Sequence, residues 1–207
     1  RPRRPAVGSA RAQTGLIVSA AVLQPPVLDM AANPGSHYGS LGALIGHELG
    51  RSIDILGRHV DAEGNLRDWW TQADQSAWSE RTHGLATQYH TYVFPGAADA
   101  MVDGTRNRDA NAADLAGLEL AWAAWQASDD APASEASQEF FRGWAGLWRQ
   151  QASPDAAAIA AASQLQTPGQ WRTNGPLANM PAFGETFQCK PGTPMQRAEA
   201  EQVSIWR

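Results

Sequence analysis

Between Ser36 and Ile55 the apolar residues Leu41, Leu44, Ile45, Leu49 and Ile53 recur at helical spacing, with His47, Glu48, Arg51 and Asp54 set between them. A helix of this kind is stable only when its apolar face is buried against other elements, and the rest of the chain supplies them. Asn33-Pro34-Gly35-Ser36 reads as a turn with Ser36 as the helix N-cap, and Gly57 as the stop. A second helix is predicted from Thr71, whose side chain forms a capping-box pair with Asp74, to about Tyr92. The Ala- and Leu-rich stretch 109–128 predicts a third. Residues 135–151 predict a fourth, with Phe140, Phe141, Trp144, Leu147 and Trp148 on its core side. An Ala-rich segment, 155–163, predicts a short fifth.

Little remains for strands. Leu16–Leu23 is a short apolar run closed by Gln24-Pro25-Pro26, and reads as a strand paired with part of 1–9. Residues 94–109 and 128–134 read as loops. The Pro- and Gly-rich stretch 168–194 reads as coil with short helical turns. The expected fold class is mainly α with a small β element: a weakly structured segment 1–15, then one domain over 16–207.

Composition narrows the function. With 43% hydrophobic and 18% charged residues the chain can bury a sizeable core, and most of its nine tryptophans are expected inside it. A net charge of −5 argues against nucleic acid as a partner, because phosphate binding needs a basic surface. The local exception, Arg1, Arg3 and Arg4, is broken by prolines and reads as a linker or processing site. The single Cys189 permits no internal disulfide. No apolar run approaches the ~20 residues needed to span a bilayer.

Chemistry is expected at Gly46-His47-Glu48-Leu49-Gly50-Arg51. Helix-borne zinc proteases place two histidines at i and i+4 on one face, with a glutamate after the first as general base. Here the first His and the Glu are present and the i+4 position is Arg51. Alone, a His-Glu dipeptide on a helix reads as an ordinary helical histidine. Its surroundings say more. Val22-Leu23-Gln24-Pro25-Pro26, Tyr38-Gly39, Gly46-His47-Glu48, Asp54, Gly57-Arg58 and Gly64-Asn65-Leu66-Arg67-Asp68-Trp69-Trp70 follow one another in the order of the zinc-helix region of the neprilysin family. Downstream, Asn111-Ala112-Ala113-Asp114-Leu115, Phe140-Phe141, Trp144-Ala145-Gly146-Leu147-Trp148, Pro168-Gly169-Gln170-Trp171-Arg172 and Asn174-Gly175-Pro176-Leu177-Ala178-Asn179 continue the match. Phe187-Gln188-Cys189-Lys190-Pro191-Gly192 and Val203-Ser204-Ile205-Trp206 close it. Nearly the whole chain therefore resembles the C-terminal catalytic part of neprilysin-type metallopeptidases, which implies a thermolysin-like lobe.

The resemblance also implies where the chemistry departs. The three zinc ligands of the family fall at His47, Arg51 and Ala110, so two of them are lost. The histidine that stabilises the tetrahedral intermediate falls at Gln166, and its supporting aspartate at Gln164. The substrate-binding Asn-Ala-x-Tyr segment falls at Ala6-Val7-Gly8-Ser9. Glu48 as general base, Asp54 and Asp114 as outer supports of the metal site, and Arg172 as a substrate-holding group are retained. The expectation is a pseudopeptidase with no metal or other cofactor, acting as a binding or regulatory subunit. Two alternatives stay open: metal-free acid–base chemistry by Glu48, His47 and Asp114 on a non-peptide substrate, or residual zinc peptidase activity from an unorthodox site. Arg51 is expected to stand in for zinc by pairing with Glu48 and Asp114, close to Asp54. Family members cover the cleft with a helical domain encoded upstream. A second protein chain or self-association is therefore expected over it, with a peptide or small molecule as possible ligand. The resemblance leans towards an extracytoplasmic location.

Overall fold

The structure is a computed structural model that describes residues 7–10, 15–128 and 134–206. Ala6, the arginines at the N-terminus and most of the loop expected at 128–134 lie outside the described residues. The chain is mainly helical, with two small antiparallel hairpins.

The first hairpin pairs β1 (Val7–Ala10) with β2 (Gly15–Val18), in register Val7 opposite Val18. The strand read from Leu16 to Leu23 is thus halved. Residues 20–22 turn instead, with Val22 N bonded to Ser19 O at 2.9 Å and the Val22 side chain buried. β1 lies within the segment expected to be weakly structured, so the apolar run of β2 recruits its partner from there.

Residues 34–51 form one continuous helical rod: α1 (Pro34–His37), a π-helical turn (Tyr38–Gly42) and α2 (Ala43–Arg51). Its N-cap is Asn33, not Ser36. Asn33 Oδ1 accepts from Gly35 N at 2.9 Å, and Pro34 follows at the first helical position, where its missing N–H costs nothing. α3 (Gln72–Tyr89) starts at the Thr71–Asp74 capping box and ends before Tyr92. The segment expected as loop from 94 holds the second hairpin, β3 (Val93–Phe94) and β4 (Ala97–Met101), turned at Pro95-Gly96 with Gly96 at φ +78°. The Pro-Gly pair was the available signal. α4 (Arg108–Gln126), α5 (Ser134–Leu147) and α6 (Pro154–Ser163) fall where periodicity puts them.

The stretch expected as coil folds into α7 (Gly169–Leu177) and α8 (Pro181–Phe187). Proline is accommodated in both. Pro181 opens α8. Pro176, inside α7, cannot donate to the carbonyl of Arg172, and the Trp144 indole N–H takes that carbonyl instead at 3.1 Å. A neighbouring side chain thus repairs the helix that local propensity argues against.

The core joins α3, α4, α5 and α8 around Leu85, Tyr89, Leu115, Trp125, Phe140 and Trp144. Of the nine tryptophans only Trp78, Trp125 and Trp144 are buried. Trp69 and Trp206 are exposed and the rest sit half-buried at the edge of the core. Among the described residues no helix is long and apolar enough to cross a membrane.

Candidate functional site

Three elements meet at the site: α2 carries His47, Glu48 and Arg51, α4 carries Ala110 and Asp114, and α7 carries Arg172. Contact between α2 and α4 is set by glycine. A Cβ on Gly46 would fall 2.6 Å from the Gly117 carbonyl oxygen, and one on Gly117 would fall 2.4 Å from His47 N. Backbones this close bring the side chains of His47 and Asp114 into direct contact.

Asp114 is the hub. Its side chain is fully buried and accepts from His47 Nδ1 at 2.7 Å. It also takes a bidentate fork from Arg172, with Nε at 2.7 Å from Oδ2 and Nη2 at 2.5 Å from Oδ1. Burial pushes the Asp114 carboxyl up, but the Arg172 charge and the donated hydrogen bonds from His47 and Arg172 outweigh it and hold it below the ordinary carboxylate value. A carboxylate only accepts, so the proton of this contact sits on His47 Nδ1, and in the neutral ring Nε2 is left as an acceptor.

Arg172 is fixed on its other side by Trp148, whose ring centroid lies 3.6 Å from the guanidinium carbon. Trp171, next in the chain, stacks on Tyr92 and donates its indole N–H to Val93 O at 2.8 Å. Trp148 is the site residue that sequence reasoning missed. Its i, i+4 spacing from Trp144 reads as core stripe, and nothing local distinguishes a ring buried among apolar groups from one lying under an arginine.

Arg51 does not sit where it was expected. Its Nη1 lies 3.0 Å from Asp54 Oδ2, an ion contact whose angles fall short of a hydrogen bond, and no ion pair joins it to Glu48 or Asp114. The physical reason is that Asp114 is already satisfied by Arg172 and His47, whereas Asp54 is fully buried three residues along the same helix end. The other Asp54 oxygen accepts from Leu56 N and Gly57 N, both at 2.8 Å, and so closes the turn that follows α2. Glu48 is half-buried and makes no hydrogen bond or ion pair among the described residues. Ala110 lies in the first turn of α4 and brings no donor side chain.

Gln164 and Gln166 are not brought to this centre by any described contact. Gln164 caps α6 in the left-handed conformation, accepts from Asp103 N at 2.7 Å and donates to Met101 O at 2.8 Å. Gln166 lines a separate open cavity of about 910 Å³ between α6, the β3–β4 turn and the start of α7. Val7, Gly8 and Ser9 lie on β1, which borders α2. Among the described residues, no group of three or more His, Cys, Asp or Glu side chains is arranged to hold a metal ion.

A helix-borne His-Glu pair, braced from a second helix by a buried aspartate, fits the metallopeptidase resemblance of the sequence. The comparisons agree. Residues 11–203 match peptidase family M13. Neprilysin-1 of Caenorhabditis elegans is 32% identical over 90% of this chain and 26% of its own length. Human endothelin-converting enzyme 1 is 31% identical over 92% of this chain and 25% of its own length. Among solved structures, the zinc metalloprotease Zmp1 of Mycobacterium tuberculosis in its open state superposes with a TM-score of 0.87 at 32% identity, covering 98% of this chain and 33% of that one. PepO of Lactobacillus rhamnosis does so with a TM-score of 0.86 at 29% identity, covering 97% and 31%. The chain belongs to peptidase family M13. It spans about a quarter of the length of the curated relatives it matches.

Proposed function

We propose that this chain is a pseudopeptidase: an M13 domain that keeps the cleft without a catalytic zinc and acts as a binding or regulatory component. The observation that carries the reading is the contact of Arg51 with Asp54. At the i+4 position of α2, where a second imidazole would complete a zinc pair, stands a fixed cation that is held in place by a buried carboxylate. Ala110 supplies no oxygen in place of a third ligand. The donors left are His47 Nε2 and the Glu48 carboxylate, and a zinc site needs three protein ligands with a fourth position open to water. These residues do not fit the ion. Zinc metalloprotease is the name of the Zmp1 relative, and the donors found in this chain fall short of what a zinc site needs.

What the chain's own residues do follows from the geometry. Arg172 is clamped between Asp114 and Trp148. Glu48 contributes a free carboxylate. Leu49 and Leu56, both about half exposed beside Arg51, support the reading that a partner chain or a second copy covers this face. Sedimentation equilibrium checks that part: a strictly monomeric chain that gains no partner would remove it.

The His47–Asp114 pair favours a second reading, metal-free acid–base chemistry, because the aspartate fixes the ring and leaves Nε2 as the acceptor in the neutral ring. The Arg172 fork on the same carboxylate supports the first reading, since it ties Asp114 into an ion pair rather than leaving it to His47 alone. A peptide hydrolysis assay of the purified chain, run with and without added zinc, tests the proposal. No turnover in either condition is expected, and zinc-dependent cleavage would overturn it.

A further inference from the structure

We infer that the open cavity framed by the end of α5, α6, the start of α7 and the β3–β4 turn binds a small apolar carboxylate. The inference goes beyond the pseudopeptidase reading and concerns a different face, since no residue of α2 lines this cavity. Its walls are tied to one another. The Trp171 indole N–H donates to Val93 O at 2.8 Å and joins α7 to β3. Gly96 brings the β3–β4 turn against α6, where a Cβ on it would lie 2.8 Å from Ala157 Cβ. Gly169 does the same between α7 and the end of α5. A Cβ there would run into the Trp148 carbonyl oxygen, and Gly169 N donates to Gln150 Oε1 at 3.1 Å. Thr167, a buried lining residue, donates its hydroxyl to Asn111 Oδ1 at 2.7 Å. A cavity of about 910 Å³ held in this way has the size and the construction of a preformed ligand site.

The lining selects the ligand. Phe94, Pro95, Ala156 and Ala160 make it mainly apolar, and Ile159 and Leu165 extend the same surface while 70% and 73% exposed. An apolar ligand that covers these side chains takes their surface out of water, which is favourable. Among the described lining residues Arg149 carries the only charge. It is exposed and makes no ion pair or hydrogen bond with another described residue. The side-chain amides of Gln166 and Gln170, also on the lining, offer further N–H donors. An apolar body with one negatively charged acceptor group answers all of these features. An ammonium would meet a like charge at Arg149, and a neutral apolar molecule would leave that charge unanswered.

Two sources carry this chemistry, a fatty acid and the carboxyl end of an apolar peptide. Calorimetric titration of the whole chain in metal-free buffer uses octanoate, octanol and octylamine, which share one tail, and N-acetyl-Leu-Leu. Octanoate binds about fivefold more tightly than octanol, the size of one exposed ion pair, and octylamine binds more weakly still. Whichever of octanoate and the dipeptide binds more tightly identifies the source. Arg149→Ala brings octanoate down to the level of octanol, and Arg149→Lys recovers part of the loss. Ala160→Trp fills the cavity from an exposed position on α6, so it abolishes binding and melts with the parent. Octylamine that binds as tightly as octanoate, an affinity unchanged by Ala160→Trp, or no binding of either carboxylate at millimolar concentration would overturn the inference. Metal content measured on the same sample keeps the two readings apart. Stoichiometric zinc removes the pseudopeptidase reading and leaves this inference standing, whereas failure of both carboxylates in a zinc-free sample removes only this inference.

Discussion

Replacing Asp114 by Asn keeps the shape of the hub and removes its charge. Three charge-assisted contacts converge on the carboxylate: Arg172 Nε at 2.7 Å, Arg172 Nη2 at 2.5 Å and His47 Nδ1 at 2.7 Å. Asparagine has one acceptor oxygen, and its amide N–H₂ would face the N–H groups of Arg172 or His47. Breaking a buried ion pair by neutralising one partner costs about 3–5 kcal/mol. The lower end applies here, because the Arg172 side chain is 20% exposed and keeps its place over Trp148. A loss of about 3 kcal/mol in a chain of this size lowers the melting temperature by roughly 6–12 °C. The pH dependence has a defined sign. The folded Asp114 carboxyl titrates below its unfolded value, so its contribution is fully present above about pH 4 and is lost as pH falls through the folded value. The parent should therefore destabilise more steeply than Asp114→Asn below about pH 4. Urea unfolding followed by tryptophan fluorescence at neutral and acid pH measures both. A variant that melts within about 2 °C of the parent, or that shows the same acid slope, would refute the hub.

Other expectations follow from the same contacts. Arg51→Ala should cost about 1–2 kcal/mol in urea unfolding, less than a fully buried pair, because Asp54 keeps its two backbone donors and Arg51 is 24% exposed. A loss above about 4 kcal/mol would mean that Arg51 supports more than Asp54. Gly117→Ala should destabilise by about 1–3 kcal/mol despite the better helix propensity of alanine, since its Cβ would meet His47 N at 2.4 Å and Ala43 O at 2.6 Å. An NMR shift of the His47 ring would report the accompanying loss of contact with Asp114, and a neutral substitution would contradict the close crossing of α2 and α4.

Much of this architecture is legible in the residues. The 3.6 period places α3, α4, α5 and the rod 34–51, and the Thr71–Asp74 capping box is visible as a pair three apart. The misses share a cause: each depends on a residue distant in sequence. α7 forms across Pro176 because Trp144 reaches the orphaned carbonyl of Arg172. β2 forms against β1, with Val7 opposite Val18, and residues 20–22 turn instead of extending it. At the site, the residue types were readable and the pairing was not. Local sequence puts Glu48, Arg51 and Asp54 on one helix end, but only the approach of α4 and α7 shows that Arg172 has claimed Asp114 and left Arg51 to Asp54. That outcome also leaves Glu48 without a partner among the described residues.

Metal content tests the central claim most directly. The chain, purified without chelator, is analysed by inductively coupled plasma mass spectrometry and then titrated with Zn²⁺ while its melting temperature is followed. The account predicts substoichiometric zinc and no rise in melting temperature, because one imidazole and one carboxylate make too small a donor set. One tightly bound zinc per chain, with a melting temperature that climbs as the ion is added, would contradict it and return the chain to the working peptidases of its family.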